Sequence, residues 1–279
     1  NLGLDVLGKR ENGYHDVRMV MQTVYLYDRI IMKKSKTPGI RLETNLYYLP
    51  VNENNLAYQA AQMLMDEFHM EEGVSIQLDK HIPVAAGMAG GSSNAAAVLF
   101  GMNRMFSLGL SQKELMERGV KLGADVPYCI MRGTVLAEGI GEILTPLSPM
   151  PKCYVLIAKP AISVSTKMVY EKLDALEITE HPDIDGILNG LARKNIHKVA
   201  ECMGNVLEQV TIPVYPVIEQ IKNVMKEGGA MNAMMSGSGP TVFGLFEDRQ
   251  SARRAAQKIK EQKLAKQVYV TSIHQARRK

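Results

Sequence analysis

Apolar and polar residues alternate at Val74, Ile76 and Leu78, with Ser75, Gln77 and Asp79 between them. A period of two predicts a strand with one buried face. The same period opens the chain at Leu2, Leu4 and Val6 and predicts a strand over 1–8, ended by a polar turn containing Asn12-Gly13. Strands are also expected over 19–25 and 29–33. Over 55–68 the period changes to that of a helix, with Leu56, Ala60, Met63 and Leu64 on one face. An alanine-rich run predicts a second helix ending near Phe106. Ser111-Gln112-Lys113-Glu114 has the form of a capping box and opens a third, which stops at Gly123.

Pro146, Pro149 and Pro151 interrupt the pattern and mark a boundary or crossover. Beyond them a strand is expected over 153–158, then a helix from the N-cap Ser165 to about Leu176. A helical pair follows over 183–195 and 196–210. The helix over 216–226 has Pro216 near its first turn and Gly228 past its end. Strands over 231–235 and 241–246, a helix over 251–262 and a strand over 267–274 complete the chain. Without its middle helices the second half reads β-α-β-β-α-β, the split βαβ or ferredoxin-like pattern. The expected architecture is two α+β domains, 1–149 and 150–279, with the last strand near the N-terminal domain.

Composition narrows the function classes. A chain of 279 residues with 46% apolar and 22% charged residues has ample core material for a globular protein. No run approaches the roughly 18 uncharged apolar residues that a membrane helix needs, so no membrane partner is expected. The 33 basic against 29 acidic side chains leave a net charge of +4, far from the basic density of a nucleic-acid binder. That surplus tolerates an anionic small molecule. Cys129, Cys153 and Cys202 lie far apart without C-x-x-C spacing, which fits a reducing cytoplasm better than a disulfide framework or zinc site. His69, His81, His181, His197 and His274 show no metal-ligand spacing either. The 18 methionines and absence of Trp suggest sulfur side chains filling core gaps. The basic tail 276–279 is expected to be solvated. Asn1 stands inside a strand with no Met or signal peptide before it, so a few earlier residues are expected.

Three segments carry candidate chemistry. The first is Pro83-Val84-Ala85-Ala86-Gly87-Met88-Ala89-Gly90-Gly91-Ser92-Ser93-Asn94, followed by the alanine-rich helix. Small residues let backbone N–H groups approach an anion, and the helix aims its positive end at the same place. Neither the P-loop nor the Rossmann spacing is present. Read alone, the segment also suits a tight helix-packing turn. The second is Ser236-Gly237-Ser238-Gly239, a glycine loop that by itself suits a plain hairpin turn. The third is Asp125 in Gly123-Ala124-Asp125-Val126-Pro127. Val-Pro after it predicts an extended exit and a fixed side-chain direction, suited to accepting a proton from a hydroxyl; a helix-terminal cap is the other reading.

Together and in this order, the three segments resemble the motif pattern of the GHMP kinases, the family of galactokinase and of homoserine, mevalonate and phosphomevalonate kinases. Gly13-Tyr14-His15 after the Lys9-Arg10 turn and Gly139-Ile140-Gly141-Glu142 narrow the resemblance to the branch that phosphorylates a cytidylyl methylerythritol on its 2-hydroxyl, in non-mevalonate isoprenoid synthesis. This implies a ribosomal-protein-S5-like nucleotide domain and a ferredoxin-like C-terminal domain. It also implies an ATP- and Mg2+-dependent transferase, monomeric or homodimeric, with ATP and a CDP-alcohol as its small-molecule partners. By resemblance, Asp125 is the general base, and residues 83–93 with Ser236, Gly237, Ser238 and Gly239 hold the nucleotide. Asn55 and Lys80 lie near adenine. Tyr14 stacks on cytosine with Tyr170 facing it, His15 bonds the base edge, and Asn1 and Thr166 touch the remainder of the substrate.

A catalytic lysine of the family falls two residues before Asn1, outside this sequence. Asn94 stands where the family often has Asp. The metal ligands stay unassigned, with Ser93 and Glu138 able to take part. The rivals are a GHMP kinase for mevalonate, homoserine or a sugar, and a non-catalytic nucleic-acid-binding protein of related fold.

Overall fold

The alternating N-terminal segment forms β1 (Gly3–Lys9), which turns antiparallel into β2 (His15–Gln22). The computed structural model describes residues 1–178 and 180–274; the tail 276–279 lies outside them. Next come β3 (Arg29–Ser35), β4 (Ile40–Thr44), α1 (Leu56–Glu67) and β5 (Gly73–Asp79). The alanine-rich run forms α2 (Gly90–Met105), and Ser111 closes both bonds of the expected capping box on α3 (Gln112–Leu122), with Gly123 as C-cap. A short α4 (Val126–Met131) follows at once. The extended exit expected at Asp125 is therefore corrected. Pro127 sits in the first turn of α4, where its missing N–H leaves no bond unmade, and the Asp125 carbonyl accepts from Cys129 N at 3.1 Å.

The chain continues with β6 (Thr134–Glu138), β7 (Ile143–Pro146), β8 (Tyr154–Lys159) and α5 (Thr166–Leu173). The helical pair forms as α6 (Ile184–Ala192) and α7 (Ile196–Cys202). The second helix is shorter than expected, because β9 (Gly204–Asn205) leaves it to pair with β1 and α8 (Glu208–Val214) starts anew. The remaining elements are α9 (Val217–Glu227), β10 (Asn232–Met235), β11 (Val242–Phe246), α10 (Arg249–Glu261) and β12 (Gln267–Ser272).

Two compact units result, one of residues 26–84 and 89–131, the other of 1–25, 85–88 and 132–274. In the first, β5 lies between antiparallel β3 and parallel β4, and α1 and α2 pack together over the sheet residues. Leu64, Ile76, Leu78, Leu99 and Met102 are fully buried there. Each contributes about 1.5–3 kcal/mol on leaving water. In the other unit one sheet has the order β7-β6-β2-β1-β9. The second has the order β10-β11-β8-β12, all antiparallel, which is the split βαβ arrangement with α9 and α10 as its helices. The end of β12 reaches the first sheet's segment through a bridge between Ile273 and Val24. The fold is the two-domain α+β fold expected.

Candidate active site

Helix α2, like α8 and α9, begins without a side-chain cap. Asn55, Ser111, Ser165, Asp183, Asn195 and Asp248 each cap a helix with a side-chain oxygen. The N-cap of α2 is Ala89, in the left-handed conformation at φ 51° and with no side-chain cap. The first helical bond runs from Ser93 N to Ala89 O. The amides of Gly90, Gly91 and Ser92 thus point outward without a partner among the described residues, carrying the positive end of the helix dipole. The Ser93 hydroxyl donates back to Gly90 O at 3.0 Å. This open helix end suits a phosphate in shape and charge.

Beneath it lies a buried polar cluster. Lys80 Nζ is paired with the Asp28 carboxylate and donates to Asn94 Oδ1 at 2.9 Å. Asn94 Nδ2 donates to Asp28 Oδ2 at 2.8 Å, and the His81 and Ile82 amides donate to Asp28 Oδ1. The side chains of Lys80 and Asp28 are 4% and 1% exposed. This explains the departure at Asn94. An amide can accept from Lys80 and donate to Asp28 at once, whereas a second carboxylate would face Asp28 with no proton to offer. Lys80, expected near adenine, thus has its ammonium engaged internally, while its carbonyl accepts from Asn45 at 3.2 Å. Asn55 caps α1 through Ala57 N and donates to Pro50 O at 2.8 Å. Asp28 had no signal in the sequence: its importance comes only from meeting Lys80, 52 residues away.

Asp125 stands at the start of α4, which packs against α2 in the same unit. Burial pushes its carboxyl above the usual carboxylate range although the residue as a whole is half-buried.

The second glycine loop joins β10 to β11. Ser236 N donates to Thr241 O at 2.8 Å and Gly239 N to Ser236 O at 2.9 Å, with a cis peptide before Pro240. Asn205 Nδ2 holds the carbonyls of Met235 and Gly237, and the Glu208 carboxylate accepts from Met235 N. Residues 85–88 of the first loop dock on this turn, with Ser236 Oγ donating to Gly87 O at 2.8 Å. A Cβ at Gly87 would lie 2.2 Å from Ser236 O, and its φ of +67° already disfavours a side chain. Gly87→Ala is expected to displace this contact and raise the KM for ATP, by about tenfold for each 1.4 kcal/mol of loop strain. A KM within twofold of wild type in steady-state assays would remove the loop's role. Ser238 Oγ meets Thr166 Oγ1 at 2.8 Å, which brings two expected site residues together.

Tyr14 and His15 occupy the turn into β2, and Thr166 and Tyr170 lie on α5. Tyr14 and Tyr170 are expected on opposite sides of a bound base, and the ring contact formed on α5 is a different one. The ring beside Tyr170 is that of His15, with centroids 4.7 Å apart and planes tilted by 37°, while Tyr14 is 59% exposed. Asn1, half-buried, donates to the Met19 sulfur at 3.3 Å. A groove of about 310 Å³ runs beside His15, Lys9, Asp174 and His181.

Two family models match the chain, "GHMP kinases N terminal domain" over residues 55–133 and "GHMP kinases C terminal" over 187–265. The class is therefore that of the GHMP kinases. Similar proteins named 4-diphosphocytidyl-2-C-methyl-D-erythritol kinase include one from Lachnospira eligens, 61% identical over 97% of this chain and 94% of its own. Another, from Lachnoclostridium phytofermentans, is 54% identical over 99% and 95%. A crystal structure of 4-(cytidine 5'-diphospho)-2C-methyl-D-erythritol kinase superimposes with a TM-score of 0.83 at 30% identity, covering 99% of this chain and 97% of that one. A homoserine kinase from Cytophaga hutchinsonii, at 20% identity and a TM-score of 0.75, shares the fold. The chain belongs to the 4-diphosphocytidyl-2-C-methyl-D-erythritol kinase family of GHMP kinases. It is an ATP-dependent small-molecule kinase.

Proposed function

We propose that the chain transfers the γ-phosphoryl group of ATP to the 2-hydroxyl of 4-diphosphocytidyl-2-C-methyl-D-erythritol, giving the 2-phosphate in non-mevalonate isoprenoid precursor synthesis. The observation that carries this reading is the uncapped N-terminus of α2 in the same unit as a carboxylate raised by burial at the head of α4. Residues 83–93 and residues 236–239 are the nucleotide-holding segments, with the amides of Gly90, Gly91 and Ser92 meeting phosphate oxygens. Asn55 and the Lys80 backbone lie toward adenine. Asp125 takes the proton of the 2-hydroxyl as its oxygen attacks the γ-phosphorus, and the bond to the β,γ-bridging oxygen breaks to release ADP. No covalent enzyme intermediate is needed.

Mg2+ is part of the proposal. Among the described residues no group of three His, Cys, Asp or Glu forms a metal cage. Mg2+ is commonly carried mainly by substrate phosphates and water, and the Ser93 hydroxyl and the Glu138 carboxylate are the oxygen donors to be tested. When bound, the ion neutralises charge across the β- and γ-phosphates.

On the substrate side Tyr14 offers an exposed face for cytosine, His15 its edge contacts, and Thr166, Tyr170 and Asn1 the remaining wall. Functional domains of 1–149 and 150–279, a cytoplasmic location and a monomer or homodimer belong to the same proposal. The two family models fall on either side of that boundary, and no disulfide occurs among the described residues. No helix among them is long and apolar enough to cross a membrane. The test is ADP release from ATP with the CDP-alcohol set against mevalonate and homoserine. Turnover with the CDP-alcohol alone is expected; preference for either rival acceptor would overturn the reading.

A further inference from the structure

The candidate residues for the cytosine end sit on two elements, the β1–β2 turn and α5, and one side chain ties these together. Asp174 is the C-cap residue of α5. Its Oδ2 accepts from Lys9 Nζ at 2.7 Å, and its Oδ1 meets His15 Nε2 at 2.6 Å. The His15 ring packs on Tyr170 from the same helix, and its side chain is only 8% exposed. Lys9, then His15, hold the Asp174 carboxyl below the usual carboxylate range, so it stays an anion at neutral pH. No other partner of the His15 ring is formed among the described residues.

We propose that Asp174 is a positioning residue that fixes the orientation and tautomer of His15 and so makes the site select cytosine over uracil. The inference rests on the reading of Tyr14 and His15 as the base site. A neutral imidazole bonded to a carboxylate through Nε2 carries its proton there, which leaves Nδ1 as an acceptor. Cytosine presents an amino donor at its 4-position, whereas uracil presents a carbonyl. An acceptor at Nδ1 welcomes the first and repels the second. With the opposite tautomer, or a ring free to turn, the discrimination is lost. Lys9 bonds the far oxygen of Asp174, which leaves Oδ1 free to meet His15 Nε2.

The probes are CDP and UDP, titrated calorimetrically into wild type, Asp174→Ala, Asp174→Asn, His15→Ala and the Asp174→Ala/His15→Ala pair. Asp174→Ala is expected to weaken CDP about tenfold and to level the CDP/UDP ratio, with the KM for ATP unchanged. Asp174→Asn keeps an acceptor oxygen and should restore part of the ratio. Asp174→Ala should add nothing in the His15→Ala background. A preserved CDP/UDP ratio in Asp174→Ala, when His15→Ala has lost it, overturns the positioning role and leaves the base site standing. If His15→Ala itself keeps the ratio, the base-site reading fails and the inference with it. Nitrogen-15 spectra of His15 in the wild-type protein give an arm independent of any variant's folding: the neutral ring should carry its proton on Nε2, and a proton on Nδ1 overturns the proposal.

Discussion

Asp125→Asn is expected to lower turnover by roughly 10² to 10⁴, the usual scale for loss of a general base, while leaving the KM for ATP near wild type. The amide is nearly isosteric, so the head of α4, whose first bond uses only the Asp125 carbonyl, should be retained. The pH profile adds a second measurement. Burial raises the Asp125 carboxyl, and only its ionised form accepts a proton. The acid limb of the kcat profile should therefore lie at higher pH than an exposed aspartate would set, with activity rising through it. The linkage to stability has the opposite sign. Between the unfolded and the raised folded value the native state binds the extra proton, so this residue's contribution to stability declines as pH rises through that window. Asp125→Asn should remove both effects. Turnover close to wild type would sink the assignment of the base.

Asp28→Ala is expected to be among the most destabilising single changes in the molecule. It strands the buried Lys80 ammonium and removes the acceptor of the His81 and Ile82 amides and of Asn94. Leaving one member of a buried pair uncompensated costs about 3–5 kcal/mol, which urea unfolding would register as a lower midpoint at unchanged slope. The double change Asp28→Leu/Lys80→Met should recover much of that loss, because it removes the orphaned charge. A single variant within about 0.5 kcal/mol of wild type would mean that the cluster is not closed in solution. Gly90 starts α2 directly above this cluster, with Lys80 Nζ only 3.2 Å from where its Cβ would stand. Loss of stability should therefore come with a higher KM for ATP.

Local signals in the sequence anticipated much of this molecule. The capping box at Ser111, the N-cap at Ser165 and the alternation over 74–78 formed as expected, because each depends on neighbours within four residues. The β-α-β-β-α-β order was legible because strand and helix periods differ so plainly there. The β4 strand escaped, since five residues with two apolar side chains give too little period to read. The α4 helix escaped because Val-Pro usually signals extension, and only packing against α2 and α3 overrode that preference.

The sequence by itself determined the chemical vocabulary of this protein: two glycine loops of different type, an aspartate held among small residues, and a Tyr-His pair, all within the pattern of one kinase family. The tertiary structure alone decided which of those residues keep their polar groups for a ligand. It committed the Lys80 ammonium and the Asn55 amide to the interior, left the amides of Gly90, Gly91 and Ser92 without partners among the described residues, and set His15 against Tyr170. The physical reason is that a polar group's availability depends on partners distant in sequence. Asp28 lies 52 residues from Lys80, and Asp174 lies 159 from His15. No local period or motif encodes those meetings.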